Sequence, residues 1–294
     1  MRKPTPVFII LIFCLSKFSS IRAQQEELLP VRFSLFTANY PMLNPALINM
    51  KDPRSLAMGT QLTAGGFDNV YSFYVNGALT IFPNGRPSHR LGISVIGDWE
   101  GELISRSWLK LMYAIEIPIS QNVKIGSGAH IGLMNYGVQN TALSAGGSDI
   151  APVISVGLKL RNDHGHLGIA INQANQAILV PVEQPIRLNR HINLTSDYDL
   201  QISNALVLTP ALWSRWLRDS FHEYTLSLEA KLNEVFSFQT LWFHERNLSF
   251  SVGMKNIRFI QADLSIQFSY TVPFGPEVFD QFKLYEAHMG LNDF

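Results

Sequence analysis

Ala262-Asp263-Leu264-Ser265-Ile266-Gln267-Phe268-Ser269-Tyr270-Thr271-Val272 alternates apolar and polar residues over its whole length. Successive side chains of a β-strand point to opposite faces, so this stretch is a strand with one apolar and one polar face. Working outward, the same period of two returns along the chain. Leu109, Leu111, Tyr113, Ile115 and Ile117 oppose Lys110, Met112, Ala114 and Glu116. Val123, Ile125, Ala129, Ile131 and Leu133 oppose Lys124, Gly126, Gly128, His130 and Gly132. Tyr224, Leu226, Leu228, Ala230 and Leu232 oppose Thr225, Ser227, Glu229 and Lys231.

A soluble β-sandwich also alternates. Three features favour an outer-membrane barrel instead. The strands run to about 9–11 residues, the length that crosses a bilayer at a tilt, against the usual 5–6. Aromatic residues (Tyr71, Phe73, Phe82, Trp213, Trp216, Trp242 and Tyr270) fall near strand ends, where barrels carry their interfacial girdles. The apolar faces have few polar gaps, as hydrocarbon outside requires. The expected fold is therefore all-β: a transmembrane antiparallel β-barrel of about 14 strands between Ser55 and Leu291, with 12 as the alternative count. Three long connections, Gly137–Pro152, Gln173–Arg190 and Pro273–Phe282, all follow odd-numbered strands and so share one end, the extracellular end of such a barrel. Short turns such as Pro83-Asn84-Gly85 and Asn233-Glu234 share the other.

Composition agrees. The 294 residues hold 23 Lys plus Arg and 23 Asp plus Glu, a formal net charge of zero, which excludes a nucleic-acid binder that relies on a basic surface. Charged residues make up only 16%, against roughly 25% in soluble domains, and mean hydropathy is +0.09. No run of about 20 apolar residues follows residue 20, so spanning helices are not expected. At the N-terminus, Arg2 and Lys3, an apolar run from Val7 to Leu15, and Ile21-Arg22-Ala23 have the order of a secretory signal peptide cleaved after Ala23. Cys14, the one cysteine, lies within that run. The mature chain is then cysteine-free, without disulfides or thiol chemistry. The expected organisation is residues 1–23 as signal peptide, 24–54 as a periplasmic or plug segment, and 55–294 as an outer-membrane barrel.

No enzyme constellation stands out. There is no Gly-x-Ser-x-Gly elbow or evident carboxylate pair, and His164-Gly165-His166 lacks a third ligand beside it. No cofactor or metal is expected. Gly126, Gly128 and Gly132 have the wrong spacing for a dinucleotide loop, and their inward placement suits close packing by side chains or a plug. Lys110, Glu116, Lys124, Asp197, Asp199, Arg215, Glu229, Lys231 and Asp263 face inward, as a lumen charge network or a conducting path.

The stretch Phe33-Ser34-Leu35-Phe36-Thr37-Ala38-Asn39-Tyr40-Pro41-Met42-Leu43-Asn44-Pro45-Ala46 resembles the N-terminal signature of the PorP/SprF family, outer-membrane proteins of the type IX secretion system of the Bacteroidetes. Phe33, Asn39 and Asn44-Pro45-Ala46 fall in register with it, while Tyr40 stands where a proline is usual. The likeness continues at Leu91–Asp98, Tyr113–Ile119 and Leu167–Asn172. It implies a non-enzymatic accessory of secretion, in gliding bacteria among others. Its implied partners are periplasmic ring and motor proteins, secreted adhesin-type cargo with C-terminal signal domains, and the lipid bilayer. Phe33, Asn39, Asn44, Pro45 and Ala46 become the candidate partner-binding residues. A general diffusion porin is the alternative function.

Overall fold

The computed structural model describes residues 27–48, 52–65, 69–81, 87–141, 145–217, 222–244, 247–259, 262–273 and 283–293. The signal segment, Phe82, the Pro83-Asn84-Gly85 turn and the 274–282 loop lie outside these residues.

The alternating segments close into a 14-strand antiparallel barrel. Its strands are β1 (Arg54–Ala64), β2 (Val70–Thr80), β3 (Ser88–Glu100), β4 (Ile104–Pro118), β5 (Lys124–Val138), β6 (Gly147–Arg161) and β7 (Gly165–Asn172). They continue as β8 (His191–Tyr198), β9 (Leu206–Leu217), β10 (His222–Leu232), β11 (Phe236–Phe243), β12 (Asn247–Phe259), β13 (Ala262–Pro273) and β14 (Lys283–Asn292). Each strand pairs with its sequence neighbours, and β14 returns to β1 with Lys283 opposite Ala64 and Asn292 opposite Ser55. Closure leaves no free sheet edge, which a barrel in hydrocarbon requires.

The period of two fixes which side chains meet lipid. On β6, Ile154, Val156, Leu158 and Leu160 are exposed while Val153, Ser155 and Lys159 are buried inside. Leu109, Leu111 and Tyr113 on β4 are likewise exposed, with Lys110, Met112, Ala114 and Glu116 inward. Around the loop end the outer surface carries ring pairs: Tyr71 stacked on Trp99 at 4.7 Å, Tyr224 edge-on to Trp242 at 5.5 Å, and Tyr270 beside Tyr285 at 5.1 Å. This is an interfacial girdle. Trp213 is not part of it. It points into the lumen and is 1% exposed, packed near Phe36.

Strands β4, β5 and β6 each run to 15 residues, longer than the sequence periodicity indicates. Their extensions, 104–106, 134–138 and 147–152, carry Arg106, Asn135 and Asp149. The apolar face there turns inward, with Trp108, Met134, Tyr136 and Ala151 buried against the lead and its neighbours, while Ser105 and Asn135 lie on the outer face, so the alternation changes sign. The expected long connection Gly137–Pro152 consequently shrinks to 139–146. The connection 173–190 is long as expected, with two short strands, Ile178–Leu179 and Ile186–Leu188, paired to each other.

Residues 27–48 run through the inside. Glu27–Leu28 pairs in parallel with Arg187–Leu188 at the loop end. The chain then descends past the lumen wall in three single turns, Phe36–Ala38, Tyr40–Leu43 and Pro45–Leu47, two of which carry proline at their start. Proline suits that position because no hydrogen bond is asked of its nitrogen. Beyond it, β1 starts at Arg54, at the short-turn end.

Candidate functional site

The lumen is where polar side chains accumulate, and the lead segment fills it. Near the loop end, Phe33 meets Tyr74 edge-on at 4.7 Å within a buried cluster that includes Ile96, Trp108 and Met134. Leu35 and Phe36 pack against Trp213, Leu241 and Phe243 on the opposite wall. The lead's polar groups are answered by the wall. The Glu286 carboxylate accepts from the Leu35 backbone N–H at 3.1 Å. Gln239 donates to the Thr37 hydroxyl at 3.0 Å, and Asn76 donates to Asn39 Oδ1 at 2.9 Å. Asn172 and Asn193 both donate to the Leu43 carbonyl, at 2.9 and 3.0 Å. Such satisfaction is obligatory for backbone groups shut away from water.

The tightest contact is at Asn44-Pro45-Ala46. Asn44 is 1% exposed. Its Oδ1 accepts from the Ala46 N–H at 2.9 Å, capping the turn that follows. Its Nδ2 donates to the backbone carbonyls of Leu158 on β6 at 3.0 Å and Ile169 on β7 at 3.3 Å. This approach to bare backbone is possible because three wall residues are glycine. A Cβ on Gly157 would stand 2.0 Å from Asn44 Oδ1, one on Gly168 2.7 Å from Asn44 Nδ2, and one on Gly128 2.4 Å from the Pro45 carbonyl oxygen. Gly128 and Gly157 are direct partners in the β5–β6 register. Together they form a cradle for the Asn-Pro-Ala turn.

The five candidate residues are therefore all buried in the lumen, and Asn44, Pro45 and Ala46 converge on one spot. Phe33 lies in the outer half, and Asn39 lies between. The wall residues that hold them, Gly157, Gly168, Glu286, Asn76 and Gln239, were not singled out from sequence. Their signal is an inward-facing strand position occupied by glycine or by a long polar side chain.

Below the cradle a cavity of about 320 Å³ opens at the short-turn end. Lys159, Arg161, Lys231 and Lys255 line it together with Asp163, Asp197, Asp199 and Glu229, and Tyr40 reaches it from the lead. Opposite charges pair around it. Glu116 gathers Lys159 at 2.7 Å, Arg161 at 3.0 Å and Lys124 at 3.7 Å. Lys231 bonds Asp199 at 3.0 Å, and Lys255 pairs with Glu229. Burial first, then the Asp197, Glu229 and Asp199 carboxylates, raises the Tyr40 hydroxyl well above the ordinary phenol range, so it stays a neutral donor. His166 Nδ1 lies 2.8 Å from Asp197. No group of three or more His, Cys, Asp or Glu side chains able to hold a metal occurs among the described residues.

Solved structures with this architecture are outer-membrane barrels. A Pseudomonas aeruginosa FadL homologue superposes with a TM-score of 0.52 at 12% identity, over 85% of this chain and 93% of its own. The Ralstonia pickettii toluene transporter TbuX gives 0.54 at 12%, over 86% and 92%. A TodX monoaromatic hydrocarbon channel variant gives 0.56 at 8%, over 86% and 94%. At these identities the likeness concerns the fold alone. No curated protein matches the sequence. The sequence does match, over residues 25–288, the family described as type IX secretion system membrane protein PorP/SprF. That span takes in the lead, its cradle and nearly the whole barrel wall: this chain is an outer-membrane β-barrel and belongs to the PorP/SprF family of the type IX secretion system.

Proposed function

We propose that this barrel acts in secretion as a non-enzymatic, plugged scaffold that meets partners at its two ends and passes nothing through its middle. The observation that carries the reading is the seating of residues 33–46, which bond or pack to wall strands on every side. A diffusion porin needs an open lumen, and this packing speaks against one. Phe33, Asn39, Asn44, Pro45 and Ala46 then serve partners indirectly, by locking the lead so that both ends of the barrel keep a fixed shape.

On this reading the charged vestibule at the short-turn end receives the periplasmic ring and motor proteins. Its paired side chains can exchange partners with a docking protein at little net electrostatic cost. The 173–190 loop, ordered by its pairing with Glu27–Leu28, faces secreted adhesin-type cargo through their C-terminal signal domains. The experiment is a pair of variants in cells. Asp163→Lys, on the exposed rim of the vestibule, should leave a heat-modifiable barrel but lower co-purification of periplasmic ring components. Removing residues 178–188 should instead reduce surface retention of cargo. Unchanged ring co-purification in the vestibule variant would refute the docking assignment.

A further inference from the structure

Between the lead and the wall lies a second, smaller cavity of about 30 Å³. Three cations line it, Lys110 of β4, Arg215 of β9 and Arg32 of the lead, and no carboxylate does among the described residues. The nearest compensation is Glu223, which is shared: Arg215 approaches it at 3.2 Å and Arg32 at 3.7 Å. Lys110, 6% exposed, makes no hydrogen bond or ion pair with any described residue. Burying an unpaired ammonium is among the most costly arrangements in a protein.

Two further donors on the same lining are unanswered, the Asn39 Nδ2 and the Trp213 Nε1. Both residues are buried. Two acceptors are present as well. His191 Nδ1 lies 3.0 Å from the Asn189 carbonyl and donates to it, which leaves Nε2 as an acceptor. Asn193 Oδ1 is the other. A single water would satisfy these acceptors yet leave the Lys110 charge without a counter-ion. The volume has room for about two water-sized bodies, given that one needs roughly 10–15 Å³.

We propose that this cavity binds one small monovalent anion, a halide, held by Lys110 with Asn39 and Trp213 as neutral donors. The anion supplies the missing counter-charge. It also ties the lead to two walls, since Asn39 belongs to the lead, Lys110 to β4 and Trp213 to β9. Anything larger than a halide, a carboxylate or phosphate for instance, exceeds the space. The site is independent of partner docking at either end.

The test uses the full mature barrel purified in detergent, with its thermal midpoint read from the heat-modifiable gel shift. Sodium bromide is titrated against sodium gluconate at constant ionic strength. In the parent protein bromide should raise the midpoint and saturate. At a hundred times its dissociation constant it would favour the folded barrel about a hundredfold. Lys110→Met should remove the dependence. Asn39→Asp keeps an oxygen to accept from Asn76 and places a built-in carboxylate at the cavity, so its midpoint should not respond to bromide. If Lys110→Met fails to assemble, crystals of the parent grown in bromide decide, through an anomalous peak within hydrogen-bond distance of Lys110 Nζ. Equal midpoints in bromide and gluconate for the parent, or bromide found only elsewhere, would overturn the proposal.

Discussion

Asn44→Ala is the sharpest perturbation of the seated lead. It deletes three hydrogen bonds and nothing else of size. The Ala46 N–H, buried, loses the acceptor that caps its turn, which costs about 1–3 kcal/mol. The two donations to the wall contribute about 0.5–1.5 kcal/mol each. The lower half of that range applies, because Leu158 and Ile169 sit in strands already paired on both sides and the second bond is long at 3.3 Å. A loss of about 2–5 kcal/mol then shifts the seated-to-unseated equilibrium of the lead roughly 30- to 4,000-fold. Two assays on the folded barrel read this shift. In a planar bilayer, open events should become more frequent by that factor. Trypsin should also begin to cut after Arg32, while the barrel itself remains heat-modifiable. An intact Asn44→Ala barrel that is as silent and as protease-resistant as the parent would refute the idea that this side chain holds the lead.

Other outcomes follow from the same geometry. Gly157→Val, whose Cβ would stand 2.0 Å from Asn44 Oδ1, should give the same open events without touching the lead's sequence. Leu228→Arg, on the exposed face in the middle of β10, should cost roughly 2–4 kcal/mol for folding into lipid vesicles, whereas inward Ser227→Ala, which only loses its bond with Gln239, should cost less than half of that. Glu116→Ala leaves buried Lys159 without its 2.7 Å partner and should destabilise the barrel by roughly 3–5 kcal/mol in urea, with Lys159→Met in the same chain restoring most of the loss.

Much of the barrel is legible in the sequence because its rule is local. Lipid outside and a filled lumen inside impose a period of two on each strand, so Leu226, Leu228 and Ser227 declare their faces without knowledge of the rest. The rule fails where the solvent changes. Toward the loop end Ser105 and Asn135 take the outer face while Ile104, Met134, Tyr136 and Val138 turn inward, so the apolar face changes sides and the pattern read from the strand middle is lost. Trp213 misleads for a related reason: a tryptophan near a strand end suits the interface, but this one is claimed by Phe36 of the lead. The cradle lies beyond local reading altogether. Asn44 meets residues 114 and 125 positions away, and their availability depends on three glycines on three adjacent strands, of which Gly128 and Gly157 fall opposite one another. Inward Gly128 hints at close packing, yet nothing in its neighbourhood names the Pro45 carbonyl as what it faces.

The lead enters the wall's first strand at the short-turn end, while Glu27–Leu28 is fastened to a loop at the opposite end. The first strand also seals against the last, so the cylinder cannot shut until Asn292 has been made and delivered. A segment synthesised first is thereby enclosed by everything synthesised after it. Some of its polar groups find answers only at the far end of the chain: Ser34 from Thr271 across 237 positions, Leu35 from Glu286 across 251. Long-range pairings of this kind make assembly slow, since loop-closure entropy is spent before any contact returns it. The order of events is constrained as well. A cylinder sealed ahead of its lead would have to admit some twenty residues, lengthwise, through a bore already lined with their unmatched partners. Wrapping the sheet around the lead avoids that trap, and makes the earliest part of the chain the mandrel on which the rest is wound.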